Sequence, residues 1–317
     1  MAVYTQVSAE ALTAFLRRYD DVGDLVSAKG IAEGVENSNY LVDTTTSRFI
    51  LTLYEKRVDA GDLPFFLALL DHCATRGLPV PPAIKDRDGV AIQQLEGRPA
   101  CLIRFLNGVS LTQPTPAQAA TAGAALGDLH AALADFAGDR PNSLGIADWR
   151  PLLDRCGSDL DRIAPGLFVR IDGALATVEA NWPHALPASV IHADLFPDNV
   201  LMLGAKVTGL IDFYFACRDI RAYDVAVMHT SWAFDPLGAP LDGVGPALLA
   251  GYMRAFGLSD AERAALPVLA KGACIRFLLT RAWDWLNTPA DALVTRKDPL
   301  AYLRRLDWYD AHPEVFA

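Results

Sequence analysis

Cysteine is scarce in this chain, and what there is does not form a pattern. Cys73, Cys101, Cys156, Cys217 and Cys274 are odd in number, widely scattered and free of any C-x-x-C spacing. That excludes a disulfide framework and a thiolate metal site, and it reads as reduced thiols in a cytosolic protein. Long apolar runs are missing too, since no window approaches the ~18 uninterrupted residues that span a bilayer. The opening MAVYTQVSAEALTAF has no basic segment leading into an apolar one. Neither a membrane span nor a secretory leader is therefore expected, and the expected location is the cytoplasm. Positive charge is in deficit: 28 Lys and Arg against 38 Asp and Glu leave a formal net charge of -10. A phosphate backbone selects a basic face, so nucleic acid is not an expected partner. Low-complexity tracts and internal repeats are lacking as well, which excludes a disordered tail and a solenoid.

What remains is a globular composition, with 52% hydrophobic and 21% charged residues over 317 positions, enough for two lobes. Residues 8–19 are expected as a helix capped by Ser8, with Leu12, Phe15 and Leu16 on one face. Segments 25–31, 38–43 and 48–54 are rich in Val, Ile, Leu, Thr and Tyr and are divided by short turns, the pattern of an antiparallel meander. Residues 62–76 return to a helical period and stop at Gly77. Two more strands, 89–95 and 98–105, are expected to meet at Glu96-Gly97.

After Asn107-Gly108, amphipathic helices are expected over 116–136, 149–163, 167–182, 245–256, 259–282 and 299–311. A single hairpin, 200–203 with 207–211, interrupts them. The expected class is α+β and bilobal. Residues 1–106 form an N-terminal lobe with a five-stranded antiparallel sheet and a helix; residues 107–317 form a mainly helical C-terminal lobe with one hairpin. A cleft between such lobes is the default ligand site.

The segment that carries chemistry is Val190-Ile191-His192-Ala193-Asp194-Leu195-Phe196-Pro197-Asp198-Asn199-Val200-Leu201, followed by Gly209-Leu210-Ile211-Asp212-Phe213-Tyr214. Asp194 and Asn199 share one tight loop ahead of the hairpin. Asp212 follows 13 residues after Asn199, at the end of the returning strand. The hairpin is expected to converge a carboxylate, an amide oxygen and a second carboxylate on one point. Hard oxygen ligands of this kind suit magnesium bridging triphosphate oxygens, whereas zinc selects imidazole or thiolate. Asn199 and Asp212 are accordingly assigned to the metal. Asp194 is assigned the catalytic role, accepting the proton of an attacking hydroxyl and orienting it in line. Singly, each is an ordinary turn residue; the combined H-x-D-x-x-x-x-N string with a strand-flanked Asp points to phosphoryl transfer.

The 192–199 loop and Asp212-Phe213-Tyr214 resemble the catalytic loop and metal motif of the aminoglycoside phosphotransferase-like kinases, relatives of the protein kinases. Within that group the chain most closely resembles the bacterial homoserine kinases of the kinase-fold type. Glu33-Gly34-Val35-Glu36-Asn37-Ser38-Asn39-Tyr40, Phe49-Ile50-Leu51-Thr52-Leu53-Tyr54-Glu55 and Phe105-Leu106-Asn107-Gly108 add to that likeness. The resemblance implies a bilobal protein-kinase-like fold and ATP-dependent phosphorylation of the L-homoserine side-chain hydroxyl, a step toward threonine, with Mg2+ as cofactor. It also implies a role for Asp224 in bracing the catalytic loop. Protein kinases carry Gly where this chain has Tyr214, and they and many aminoglycoside phosphotransferases carry a lysine where it has Thr52, a Thr that the resemblance implies the homoserine kinases of this type share. Arg48, Lys56 and Arg57 are the substitutes at hand.

Placement in such a fold nominates Ile31, Gly34, Val35, Asn37, Ile50, Arg104, Leu106, Leu201 and Ile211 as nucleotide contacts. Gly34 lets backbone N–H groups approach phosphate oxygens. Without the fold placement, these residues read as a hairpin turn and as core. An amino acid as small-molecule acceptor needs a guanidinium for its carboxylate, and Arg218, Arg276 and Arg281 are candidates, with Tyr214 framing the rest. His130 and His192 read as scaffold, and helix arginines such as Arg276 and Arg281 read more often as i, i+3 or i, i+4 surface pairs. Two readings stay open beside the homoserine one: a kinase of the same fold for choline, an aminosugar or methylthioribose, and a pseudokinase binding module, which the missing strand lysine motivates.

Overall fold

A computed structural model describes residues 4–31, 37–55, 59–288 and 296–316. The chain divides into two compact units, Met1–Asn107 and Gly108–Ala317. No described helix is long and apolar enough to cross a membrane.

In the first unit, helix α1 (Ala9–Leu16) starts where the Ser8 hydroxyl accepts the Ala11 N–H at 3.1 Å. It stops short of residue 19 because the N–H groups of Arg18 and Tyr19 turn back to Phe15 and Leu16, tightening the last turn. Strands β1 (Leu25–Gly30), β2 (Asn37–Thr44), β3 (Arg48–Tyr54), β4 (Gln93–Leu95) and β5 (Arg98–Arg104) pair antiparallel in the order β1-β2-β3-β5-β4. Helix α2 spans Leu63–Thr75. Strand β4 is shorter than the expected 89–95. The Asp86 carboxylate takes the N–H groups of Asp88 and Val90 at 3.0 and 2.8 Å, so this stretch is a side-chain-closed turn. The two-residue period of β3 sends Phe49, Leu51 and Leu53 onto Leu12, Phe15 and Leu16 of α1. The opposite face of the sheet carries Asn39, Ile50, Thr52 and Ile103.

The second unit contains α3 (Pro116–Ala132), α4 (Ile146–Cys156), α5 (Leu167–Asn181), β6 (Ala188–Ile191), β7 (Val200–Leu203), β8 (Lys206–Leu210), β9 (Cys217–Ile220), α6 (Arg221–Trp232), α7 (Val244–Ala255), α8 (Asp260–Asn287) and α9 (Leu300–Ala311). Helices α3 and α7 meet backbone to backbone. A Cβ on Gly123 would lie 2.1 Å from the Leu248 carbonyl oxygen, and one on Gly251 would lie 1.9 Å from that of Ala120.

Two elements correct the sequence reading. The β7–β8 hairpin is not the only sheet in this unit, because β6 and β9 form a second antiparallel pair. Each is four residues long and its partner is distant in sequence, so no turn signal marks them. Helix α6 was not expected either. It is buried on every side from Ala222 to Trp232, so it has no polar face to reveal a helical period.

Buried in α6, His229 pairs through Nδ1 with the Tyr309 hydroxyl at 2.6 Å, while its Nε2 has no hydrogen-bond partner among the described residues. Burial pushes its pKa down from 6.5 to about 3. Below pH 6.5 the unfolded chain takes up a proton that the folded chain refuses. Stability therefore falls as pH drops toward 3, by about 1.4 kcal/mol per pH unit for this one group. Urea melts between pH 7 and 4 are expected to show this slope, and His229→Gln is expected to flatten it whatever its effect at pH 7.

Candidate active site

Strand β6 ends at Ile191, paired with Cys217 of β9, and delivers the chain into the 192–199 loop. There the fully buried Asp224 of α6 captures two successive N–H groups: His192 donates to its Oδ2 and Ala193 to its Oδ1, each at 2.8 Å. His130 of α3 reaches the same Oδ2 through Nε2 at 3.1 Å and meets the Tyr252 hydroxyl through Nδ1 at 2.8 Å. Burial alone would raise the Asp224 carboxyl. The hydrogen bond and charge of His130, with the His192 N–H, hold it below the usual carboxylate range.

Ala193 is thereby held at φ 62°, a left-handed conformation that costs a non-glycine residue about 1–2 kcal/mol. Arg276 of α8 clamps it from the other side, donating from Nη1 to the Ala193 carbonyl at 2.6 Å. His192 links the loop to Ile211, the residue before Asp212. Its Nδ1 accepts the Asp194 N–H at 3.3 Å, which assigns the proton to Nε2, the atom 3.0 Å from the Ile211 carbonyl. Burial keeps this imidazole neutral by lowering its pKa.

Asn199 follows in a single 3-10 turn, Pro197–Asn199, ahead of β7. Its Nδ2 donates to the Asp194 carbonyl at 2.8 Å and lies 3.3 Å from the Asp194 carboxylate. This leaves its Oδ1 as the acceptor end. The Ile211 N–H donates to the Asn199 carbonyl at 3.0 Å, bringing Asp212 beside it with φ 65°. Asn199 thus touches Asp194 directly, and Asp212 lies one residue beyond its Ile211 contact, close enough for its charge to act on Asp194. Desolvation pushes the Asp194 carboxyl up to about 8, with Arg276 opposing and Asp212 and Asp198 adding to the rise. Such a concentration of negative charge is suited to a cation. Among the described residues no three His, Cys, Asp or Glu side chains are grouped as a metal cage. One amide oxygen and one carboxylate match a hard ion that keeps water and substrate oxygens in its shell.

Further contacts brace the loop without any sequence signal. The Trp232 indole donates to the Leu195 carbonyl and the Ser110 hydroxyl to the Asp198 carbonyl, each at 3.0 Å. Gly108 has no room for a side chain, since a Cβ there would lie 2.5 Å from Thr208 Oγ1 and 2.8 Å from the Leu201 Cβ.

In the first unit, Ile31 follows β1 and Ile50 lies on the sheet face away from α1, both partly buried. Asn37 is buried, its Oδ1 accepting the Glu55 N–H at 3.3 Å. Arg104 is exposed at the end of β5, and Leu106 is half-buried beyond it. Gly34, Val35, Lys56 and Arg57 lie outside the described residues. Thr52 is buried, and its hydroxyl donates to Asn39 Oδ1 at 2.8 Å, a neutral pair. Arg48 is engaged with Asp43 at 2.6 Å on the surface.

In the second unit, Leu201 lies opposite Gly209 in the hairpin and Ile211 follows it, both half-buried. Tyr214 lies in the Phe213–Phe215 turn directly after Asp212. Arg218 stands apart from the loop residues, exposed and ion-paired with Asp139 at 2.5 Å. Arg276 and Arg281 are not surface pairs: Arg276 is buried under the loop, and Arg281 stacks over the Tyr302 ring at 4.6 Å. A depression of about 510 Å³ between α5 and α8, lined by Asn181, Pro183 and Lys271 among others, includes none of the catalytic-loop residues.

Removing the Asp224 carboxylate leaves two loop N–H groups and His130 without their acceptor. Asp224→Ala is expected to lose about 3 kcal/mol of stability in denaturant melts. Turnover is expected to fall more than nucleotide affinity, because the loop loses its brace.

The model of the phosphotransferase enzyme family matches residues 27–267. The homoserine kinase of Xanthobacter autotrophicus is 54% identical over 311 residues, covering 98% of this chain and 97% of that protein. The homoserine kinase of Gluconobacter oxydans is 52% identical over 317 residues, covering 99% of this chain and 100% of that protein. Among solved structures, an amicoumacin kinase superposes with a TM-score of 0.72 at 14% identity, covering 96% of this chain and 94% of that one. A choline kinase from Cryptosporidium parvum superposes with a TM-score of 0.68 at 14% identity, covering 97% of this chain and 96% of that one. These two likenesses establish the protein-kinase-like fold. On the sequence match the chain belongs to the phosphotransferase enzyme family, alongside the homoserine kinases.

Proposed function

We propose that this protein transfers the γ-phosphoryl group of ATP to the side-chain hydroxyl of L-homoserine, giving O-phospho-L-homoserine and ADP. The observation that carries the reading is the identity of 54% to a homoserine kinase along almost the entire length of both chains. The convergence of Asp194, Asn199 and Asp212 supports the reaction type. The same three groups would serve a choline or aminosugar kinase, so the acceptor rests on the relatives.

Asp194 takes the hydroxyl proton as the acceptor oxygen forms its bond to the γ-phosphorus. The bond to the β-phosphate oxygen breaks, and ADP leaves with the electron pair. Asn199 Oδ1 and the Asp212 carboxylate are the groups that would hold Mg2+. When bound, the ion neutralises phosphate charge. His192, neutral and fixed between Asp194 and Ile211, orients the loop and transfers no proton. Nucleotide contacts are assigned to Ile31, Gly34, Val35, Asn37, Ile50, Arg104 and Leu106 of the first unit, and to Leu201 and Ile211 of the second, on the family resemblance. The Thr52–Asn39 pair brings no charge of its own to the phosphates.

Coupled ADP release over a panel of hydroxylated amino acids, amino alcohols and sugars tests the acceptor. Homoserine is expected to be preferred; turnover confined to choline or an aminosugar would replace the acceptor and leave the kinase. Asp194→Ala is expected to lower kcat about 1,000-fold, with the KM for ATP within a few-fold of the parent. A variant as active as the parent would favour a binding module.

A further inference from the structure

Beside the catalytic loop three aromatic rings form a continuous floor. Phe196 of the loop packs on Phe277 of α8 at 4.8 Å, and Phe277 stacks on Tyr302 of α9 at 5.2 Å. Three guanidiniums lie over it: Arg276 over Phe277 at 4.3 Å, and Arg281 and Arg305 over Tyr302 at 4.6 and 4.4 Å. Among the described residues none of the three is ion-paired with a carboxylate; their hydrogen bonds go to backbone carbonyls. Positive charges crowded into a partly dry site without counter-ions are unfavourable, and an arriving anion relieves them.

Two of the three are already committed. Arg276, 2% exposed, holds the Ala193 carbonyl, and Arg305, 4% exposed, holds the carbonyls of Thr230 and Asp235 at 3.0 and 2.9 Å. Lys297, on the same flank, lies 3.5 Å from the Asp198 carboxylate, which neutralises it. Arg281 differs in making one long hydrogen bond, 3.3 Å to the Asp298 carbonyl, and in keeping part of its surface open. Burial pulls its pKa down, while Tyr302, Asp194 and Asp198 hold it up against Arg305, so its charge lies within the field of the loop carboxylates.

We propose that Arg281 receives the α-carboxylate of the acceptor amino acid, and that this charge pair makes the enzyme prefer an amino acid over the corresponding amino alcohol. The proposal rests on the homoserine reading and narrows three arginine candidates to one. Arg276 instead positions the loop, and Arg218 takes no part in the site.

The test compares the parent and Arg281→Gln on L-homoserine and on 3-amino-1-propanol, which is homoserine without its carboxylate. Arg281→Gln is expected to raise the KM for homoserine about 30- to 100-fold, the loss of a charge-assisted hydrogen-bond pair. Its kcat and its KM for ATP stay within about threefold, and its kcat/KM on 3-amino-1-propanol stays at the parent value. A parent-like KM for homoserine, or an equal loss on both acceptors, overturns the proposal. Should the Gln variant fail to fold, Arg281→Lys decides in its place: a homoserine KM raised about 10-fold with 3-amino-1-propanol unaffected supports the assignment, and a parent-like KM overturns it. A parent enzyme that turns over another acceptor but not homoserine fails differently, removing the acceptor assignment before Arg281 is in question.

Discussion

The buried carboxylate of Asp224 is the interaction on which the 192–199 loop depends. A carboxylate removed from water is stable only when its lone pairs are filled, and here two consecutive backbone N–H groups and a histidine fill them. Two N–H groups in succession can face one carboxylate only if the chain turns sharply, and Ala193 makes that turn at a positive φ. The strain is local and its restraints are distributed. Asp224 pulls on the amide side of Ala193, Arg276 on its carbonyl side, and His192 ties the loop to the strand bearing Asp212. Asp194 and Asn199 inherit their positions from these restraints.

Charge is sorted by position within the second unit. The chain as a whole is acidic, yet Asp194, Asp198 and Asp212 gather at the loop, while Arg276, Arg281 and Arg305 gather over the aromatic floor beside it. The acidic group is suited to a cation and the basic group to an anion. Separation of this kind is invisible to a net charge of -10, which reports the surface and not the site.

The first unit buries a neutral polar pair within its sheet. A buried Thr52 hydroxyl is closed by Asn39, two positions that share the sheet face opposite α1. That pairing follows from antiparallel register: Asn39 and Thr52 are direct cross-strand neighbours. A neutral hydrogen bond stabilises the sheet there without introducing a charge.

Local pattern alone determined a large part of this protein. The alternation of β3, the Ser8 cap, the Gly77 stop and the amphipathic helices of the second unit are signals carried within a few residues, because side-chain periodicity reflects which face is buried. The H-x-D-x-x-x-x-N string with its downstream Asp was legible for the same reason, since loop, hairpin and strand end are contiguous in the chain. Other features arise only when distant segments meet. The β6–β9 pair has no turn between its strands, α6 is buried on all sides and so shows no period, and β4 is shortened by a side chain, Asp86, that competes for backbone N–H groups. The division of labour among the arginines also belongs to the tertiary structure. Arg218, Arg276 and Arg281 are equivalent as letters, and only packing puts one on the surface with Asp139, one beneath the loop at Ala193 and one over Tyr302.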